Sequence, residues 1–230
     1  MKSVNVGSLK SKASELLHHP WLATFGKSLL YAFHVIVHPF DGFWDLKHEK
    51  RGTMAAANVI VLMTLISRLW IKQFSSFLFV SVNWEDVNIW AEMAMIFVPL
   101  CIWCVSNWCL TTLFDGLGSL KDVYITTAYA LTPYPLIQIP LCLASNLITI
   151  DEGALYTFFG SVSVIWCAAL LLVGMMQTHD YTMGKTVLSV LVSVLGMLVI
   201  IILLLLIFSM TSEAIAYFIS FAKEFIIRFT

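Results

Sequence analysis

The sequence predicts an all-α polytopic membrane protein, and three observations carry that prediction. Of 230 residues, 60% are hydrophobic and only 12% charged, with a mean hydropathy of +0.88, whereas soluble domains run nearer half apolar and a quarter charged. The apolar residues gather in windows long enough to cross a bilayer. Those windows lack the short alternating pattern of a barrel strand, so helices must satisfy their own backbone amides in hydrocarbon.

Five windows read as spans: Met54 to Ile71, Ile89 to Phe114, Val123 to Ile150, Leu155 to Thr178 and Thr186 to Ser209. The last holds LVIIILLLLIF and no charge, and is the plainest of the set. The third contains Pro133, Pro135 and Pro140, which remove three backbone donors and must bend or break a helix. Tyr129, Thr132 and Tyr134 are placed to restore the lost bonds, and Asn107 and Asn146 read as buried amides joining helices.

Before the spans, Pro20 to Val37 has Leu22, Phe25, Leu29, Phe33, Ile36 and Val37 on one stripe. Thr24, Lys27, Ser28, Tyr31, His34 and His38 form the other, which predicts a helix lying in the interface and stopped by Pro39. After the spans, SEAIAYFISFAKEFIIRF predicts a second amphipathic helix. The chain therefore divides into an arm over 1–52, a membrane domain over 53–210 and a C-terminal segment over 211–230.

Nine of the 13 cations are the seven in residues 1–52 together with Lys121 and Lys185. The positive-inside rule then places the N-terminus in the cytoplasm and the C-terminus outside, in a cell membrane crossed several times. Arg68 and Lys72 lie at the outer end of the first span and are expected to snorkel outward, the alternative being an inward pair with Glu92. The start, MKSVNVGSLKSKASELLHHPW, is polar and mixed, so no cleavable secretory signal is expected. A net charge of −1 without a basic groove excludes nucleic acid as a partner.

Between the arm and the first span stands HPFDGFWDLKHEKRG. Phe40, Phe43 and Trp44 read as an aromatic belt and Lys47, Lys50 and Arg51 as the cytoplasmic anchor. Asp41 and Asp45 need cationic neighbours near anionic lipid, which predicts local pairs of Asp45 with Lys47 or His48, or of Glu49 with Arg51.

Other constellations fall to plainer readings. Cys101 and Cys104 form CIWC at mid-span and read as packing residues. His34 and His38, four apart, lack fixed further ligands, so no metal and no cofactor are expected. MGKT at 183–186 lacks the earlier glycine of a phosphate-binding loop, and Gly184 reads as a turn followed by the anchor Lys185. No nucleophile with a nearby base occurs at membrane depth, so the chain is not read as an enzyme.

HPFDGFWDLKHEKRG, then NWCLTTLFDGLGSLKDVYITTAYALTPYPL, then QTHDYTMGKT, in that order between predicted helices, resemble the bacterial branch of the Yip1 family. AYALTPY, Ala128 to Tyr134, corresponds to that family's pattern of glycine or alanine, tyrosine, then proline within the third span. The resemblance implies five spans and no catalysis. The family's eukaryotic relatives sit in Golgi and endoplasmic reticulum membranes and are implicated in vesicle traffic through Rab GTPases. Their N-terminal Asp-Leu-Tyr-Gly-Pro motif is missing; WDLKH shares only Asp45 and Leu46 with it. The expected role is a scaffold or accessory subunit that engages another membrane protein or complex, with the lipid bilayer and a homo-oligomer as further partners. Its cytoplasmic surface combines Asp41, Trp44 and Asp45, then Asp115, Gly116 and Asp122, then His179, Gly184 and Lys185. Asn107, Tyr129, Pro133 and Tyr134 complete the motif residues. The alternative is a small-solute transporter or channel built on the proline-broken third span.

Overall fold

The computed structural model describes residues 20–79 and 88–229, and every regular element among them is helical. The start read as signal-free, and residues 80–87 between the first two predicted spans, lie outside the described residues. Among the described residues eight α-helices follow one another: α1 (Pro20–Val37), α2 (Pro39–His48), α3 (Met54–Phe74), α4 (Ile89–Leu110), α5 (Leu120–Ala130), α6 (Pro133–Ala144), α7 (Gly153–His179) and α8 (Met183–Phe229). Four of them, α3, α4, α7 and α8, are long and apolar enough to cross a membrane.

The predicted third span is two helices. Pro133 and Pro135 cannot donate to the carbonyls of Tyr129 and Leu131, and the helix breaks there. The lost bonds are replaced: Thr132 donates to Tyr129 O through its amide (3.2 Å) and its hydroxyl (2.7 Å), and the Tyr134 amide reaches Leu131 O (3.1 Å). Tyr134 thus helps through its backbone. The pair still traverses the bundle. Ser119 and Asp122 cap α5 at one end, while at the other the Ser76 amide donates to Ser145 Oγ (3.0 Å) and Asn146 Nδ2 to Phe74 O (2.8 Å). Asn146 is exposed and joins helix ends, whereas Asn107 is buried as expected.

The arm departs from the sequence reading. Val35 packs on Gly42, where a Cβ would stand 2.9 Å from Val35 Cα. Tyr31 Oη donates to Asp45 Oδ2 (2.5 Å), and Ser28 Oγ donates to Arg51 O (2.8 Å). These pairs are spaced evenly about His38, so α1 and α2 form an antiparallel hairpin turned at Pro39. The face of α1 that packs inward carries Ser28, Ala32 and Val35, with Phe25, Leu29 and Ile36 of the predicted apolar stripe partly buried beside it, while Phe33 and Val37 of that stripe are exposed, as is Leu30. Small residues allow close helix approach, and the large ones are left for the surroundings.

Phe43 is no belt residue. It is 1% exposed and lies over Gly174, where a Cβ would meet its ring at 3.1 Å and Thr126 Cγ2 at 2.5 Å. Phe40 and Trp44 do remain exposed, Trp44 stacked on His48 at 4.6 Å. Beneath the hairpin Tyr129 is fully buried, its hydroxyl 2.9 Å from Ser28 O and 2.7 Å from Ser28 Oγ. The same Ser28 Oγ accepts from the amide of Thr53 (3.1 Å), the cap of α3. One tyrosine therefore couples α1, α5 and the start of α3.

At the C-terminus no break follows Ser209. Thr211 and Ser212 turn their hydroxyls back to Ile207 O (2.7 Å) and Phe208 O (2.6 Å), so the polar patch is satisfied within the helix. At 47 residues the helix is about 70 Å long, more than twice a hydrocarbon core. It packs on α4 only near its start, through Ser189, Ser193 and Gly196, and a Cβ at Gly196 would lie 2.5 Å from Ser106 Oγ.

Replacing Tyr129 by Phe removes a buried hydroxyl and strands part of the Ser28 network. A loss of about 1–3 kcal/mol is expected, read as a lower temperature at which the buried thiols of Cys104, Cys142 and Cys167 react with a fluorogenic dye in detergent. An unchanged temperature would show that the tyrosine does not tie the hairpin down.

Candidate functional site

The loop before α5 and the turn after α7 meet at one end of the bundle. Helix α7 ends because Asp180 adopts a left-handed conformation, with φ 55°, which Asp tolerates better than most side chains. Its amide and that of Tyr181 both return to Met176 O. The turn is therefore made by Asp180, Tyr181 and Thr182. Gly184, expected in the turn, sits in the first turn of α8 with open space around it.

His179 is the joint. It is 2% exposed, and both ring nitrogens are engaged: Nδ1 accepts from the Gly118 amide (3.3 Å), which makes Nε2 the protonated nitrogen that donates to Asn107 Oδ1 (2.8 Å). The amide of that asparagine then donates to Ser193 Oγ (3.2 Å), and Ser106 Oγ donates to Ser193 O (2.7 Å). Four elements, α4, the loop before α5, α7 and α8, are fastened by one chain of hydrogen bonds.

The spacing in DGLG permits this approach. Asp115 has φ 52°, turning the chain after the short 3₁₀ turn Thr111–Leu113. A Cβ at Gly118 would come within 2.8 Å of His179 Cε1, and one at Gly116 within 2.7 Å of His179 Nδ1 and closer still to Tyr181 Oη. Only glycine lets the loop backbone lie on the two rings.

Tyr181 was not singled out in the sequence, yet it is central. Its ring stacks on His179 at 5.2 Å, Lys185 Nζ stands 4.8 Å above its other face, and it is 7% exposed. The hydroxyl is buried and has no hydrogen-bond partner among the described residues. Burial, and secondarily the Asp115 carboxylate, push its pKa above the ordinary tyrosine value, so it stays a neutral donor. Next to it a recess of about 580 Å³ opens between Trp108, Thr111, Asp115, Gly116 and Gly118.

The remaining predicted residues fall in three places. Lys47 pairs with Asp180 (2.6 Å) rather than with Asp45, so the far end of α2 joins the site; Arg51 takes both Glu49 (2.5 Å) and Asp45 (3.6 Å). Asp122 is used in capping α5. Asp41 is exposed in the first turn of α2, the opposite end of that helix from Lys47, and is not brought to the cluster. Tyr129, Pro133 and Tyr134 belong to the helix break, away from this end. Cys101 and Cys104 are free thiols.

Arg68 does not simply snorkel: its Nε stands 3.4 Å from Glu92 Oε2, and Lys72 holds the other oxygen of the same carboxylate. Glu92 is 7% exposed. An acid buried at a span's end takes two cations, because one unpaired would be costly there.

Asn107→Leu should cost about 1–3 kcal/mol by stranding the His179 Nε2–H. The double change with His179→Leu should cost less than the two single changes summed. Thermal midpoints of the four proteins in detergent check the coupling, and strictly additive losses would mean that the bond contributes nothing.

No curated protein and no solved structure matches the chain. The family model described as Yip1 domain matches residues 33–210, which runs from the hairpin through the apolar part of α8 and includes every residue of the His179 joint, and the chain belongs to the Yip1-domain family of membrane proteins.

Proposed function

We propose that this protein is a non-enzymatic membrane scaffold, or accessory subunit, that engages another membrane protein or complex through the end of the bundle organised by His179. The observation that carries this reading is the recess beside Tyr181. It has a wall formed by Gly116 and Gly118 and an exposed carboxylate at Asp115, which together suit a partner that supplies a cation.

In this reading the chain crosses a cell membrane five times, α5 and α6 forming the third crossing, with α1 and α2 on the cytoplasmic side and the C-terminus outside. The distribution of cations supports that orientation. The face is cytoplasmic and presents Asp115, Lys121 and the 180–185 turn. Trp44 and Asp45 flank it through α2, and Asp41 stands apart from it.

The alternative of a transporter on the broken third span draws less support. Unpaired carbonyls at a break can take an ion, but those of Tyr129 and Leu131 already accept bonds from Thr132 and Tyr134. What remains around the break is largely carbon.

Cross-linking in native membranes, followed by purification and mass spectrometry, tests the scaffold. Combined Asp115→Ala and Lys121→Ala should reduce recovery of a specific cross-linked protein about tenfold, as expected for the loss of about 1.4 kcal/mol. Asp41→Ala should leave recovery unchanged. Equal recovery from all three proteins would remove the basis for choosing this face.

A further inference from the structure

A second feature lies toward the opposite end. A cleft of about 270 Å³ opens on the side of the bundle between α3, α4 and the α5–α6 break, its walls including Thr64, Arg68, Pro99, Trp103, Leu131 and Tyr134. Along α3 from its Thr53 cap, Thr64 lies about 16 Å and Arg68 about 22 Å in. The cleft thus spans hydrocarbon depth and ends at a cation beneath the interface.

Its interior offers little to a polar solute. Trp103 Nε1 donates to Thr127 Oγ1 (3.1 Å), Thr127 Oγ1 to Val123 O (2.7 Å) and Thr64 Oγ1 to Ile60 O (2.9 Å). These groups are spent on their own elements, so the body of the cleft presents mainly carbon. The mouth is different. Among the described residues Arg68 and Lys72 share the single carboxylate of Glu92, leaving one positive charge in excess there. Arg68 commits Nε to Glu92 (3.4 Å) and Nη2 to the weak acceptor Met95 Sδ (3.7 Å). A guanidinium carries five N–H donors in a planar fork, and an uncompensated cation at this depth is costly.

We infer that the cleft binds one acidic phospholipid from the leaflet nearer Phe74, its phosphate held by Arg68 and one acyl chain laid in the groove toward Pro99 and Leu131. The match is of charge and depth together: the phosphate supplies the negative charge that the Arg68–Glu92–Lys72 trio lacks, and Arg binds phosphate through paired N–H donors. The chain replaces bilayer hydrocarbon with a carbon-lined wall. This site is independent of the scaffold face, since it shares no residue with the His179 cluster.

The full chain reconstituted in bilayers of equal phosphatidylcholine and phosphatidylglycerol, then released into mild detergent for native mass spectrometry, tests the inference. The wild type should retain one phosphatidylglycerol in preference to phosphatidylcholine. Arg68→Gln, which leaves the Lys72–Glu92 pair to hold α3 and α4 together, should cut that retention about tenfold, the loss of one charge-assisted contact. Ile96 also lines the cleft, so Ile96→Trp fills the groove without touching a charge and should cut retention as well. Lys185→Gln, a charge loss at the other end, should leave it intact. Equal retention of the two lipids by the wild type, phosphatidylglycerol retention unaffected by Arg68→Gln, or a lipid-free dimer of the wild type would each overturn the assignment.

Discussion

The hydrogen bond from His179 to Asn107 is the interaction on which the arrangement of helices depends. In hydrocarbon a polar group without a partner is expensive, and an imidazole has two nitrogens to satisfy. Here one nitrogen takes the Gly118 amide and the other gives to Asn107, which fixes the loop before α5 against the end of α7. Asn107 passes the constraint to Ser193 and so to α8, whose first turns pack along α4. Loosening this junction would free the longest helix and the loop that walls the recess at once.

The rest of the fold repeats that logic with different donors. Tyr129 and Ser28 bind the hairpin to the bundle, and Ser145 closes the far end. Thr132 repairs the break left by two prolines. Glycine and serine do the packing where elements come close, at Gly42, Gly174, Gly196 and Ser193, because lipid gives helices no hydrophobic reason to associate. The large apolar side chains, by contrast, mostly face outward.

That inversion explains what could be read in advance. The spans were legible because long uncharged runs are a covalent property of the chain, and so was the break, because proline carries its missing donor with it. The hairpin was not legible: the face of α1 that packs inward carries Ser28, a residue that the periodicity assigns to the polar stripe, and Ala32, which it assigns to neither stripe. Phe43 looked like a belt residue because nothing local distinguishes a ring over Gly174 from one at a headgroup. Lys47 found Asp180, 133 positions away, where local pairing with Asp45 had been expected. The continuous α8 escaped because Thr211 and Ser212 look polar in sequence and are satisfied in place. Asn107 stood out as a buried amide and His179 as part of the cytoplasmic surface, but their contact did not. The one signal for it was the pair of glycines in DGLG, a mark of backbone passing close to something large, here His179 and Tyr181.

The account stands most directly on the protonation pattern of one ring. Nitrogen-15 spectra of histidine-labelled protein in lipid nanodiscs, assigned by comparison with His179→Gln, report which nitrogen carries hydrogen. The geometry requires His179 with hydrogen on Nε2 and a bare, hydrogen-bonded Nδ1. Hydrogen on Nδ1, or two nitrogens averaged by exchange with water, would mean that neither the Gly118 nor the Asn107 bond exists and that the junction does not organise this end of the protein.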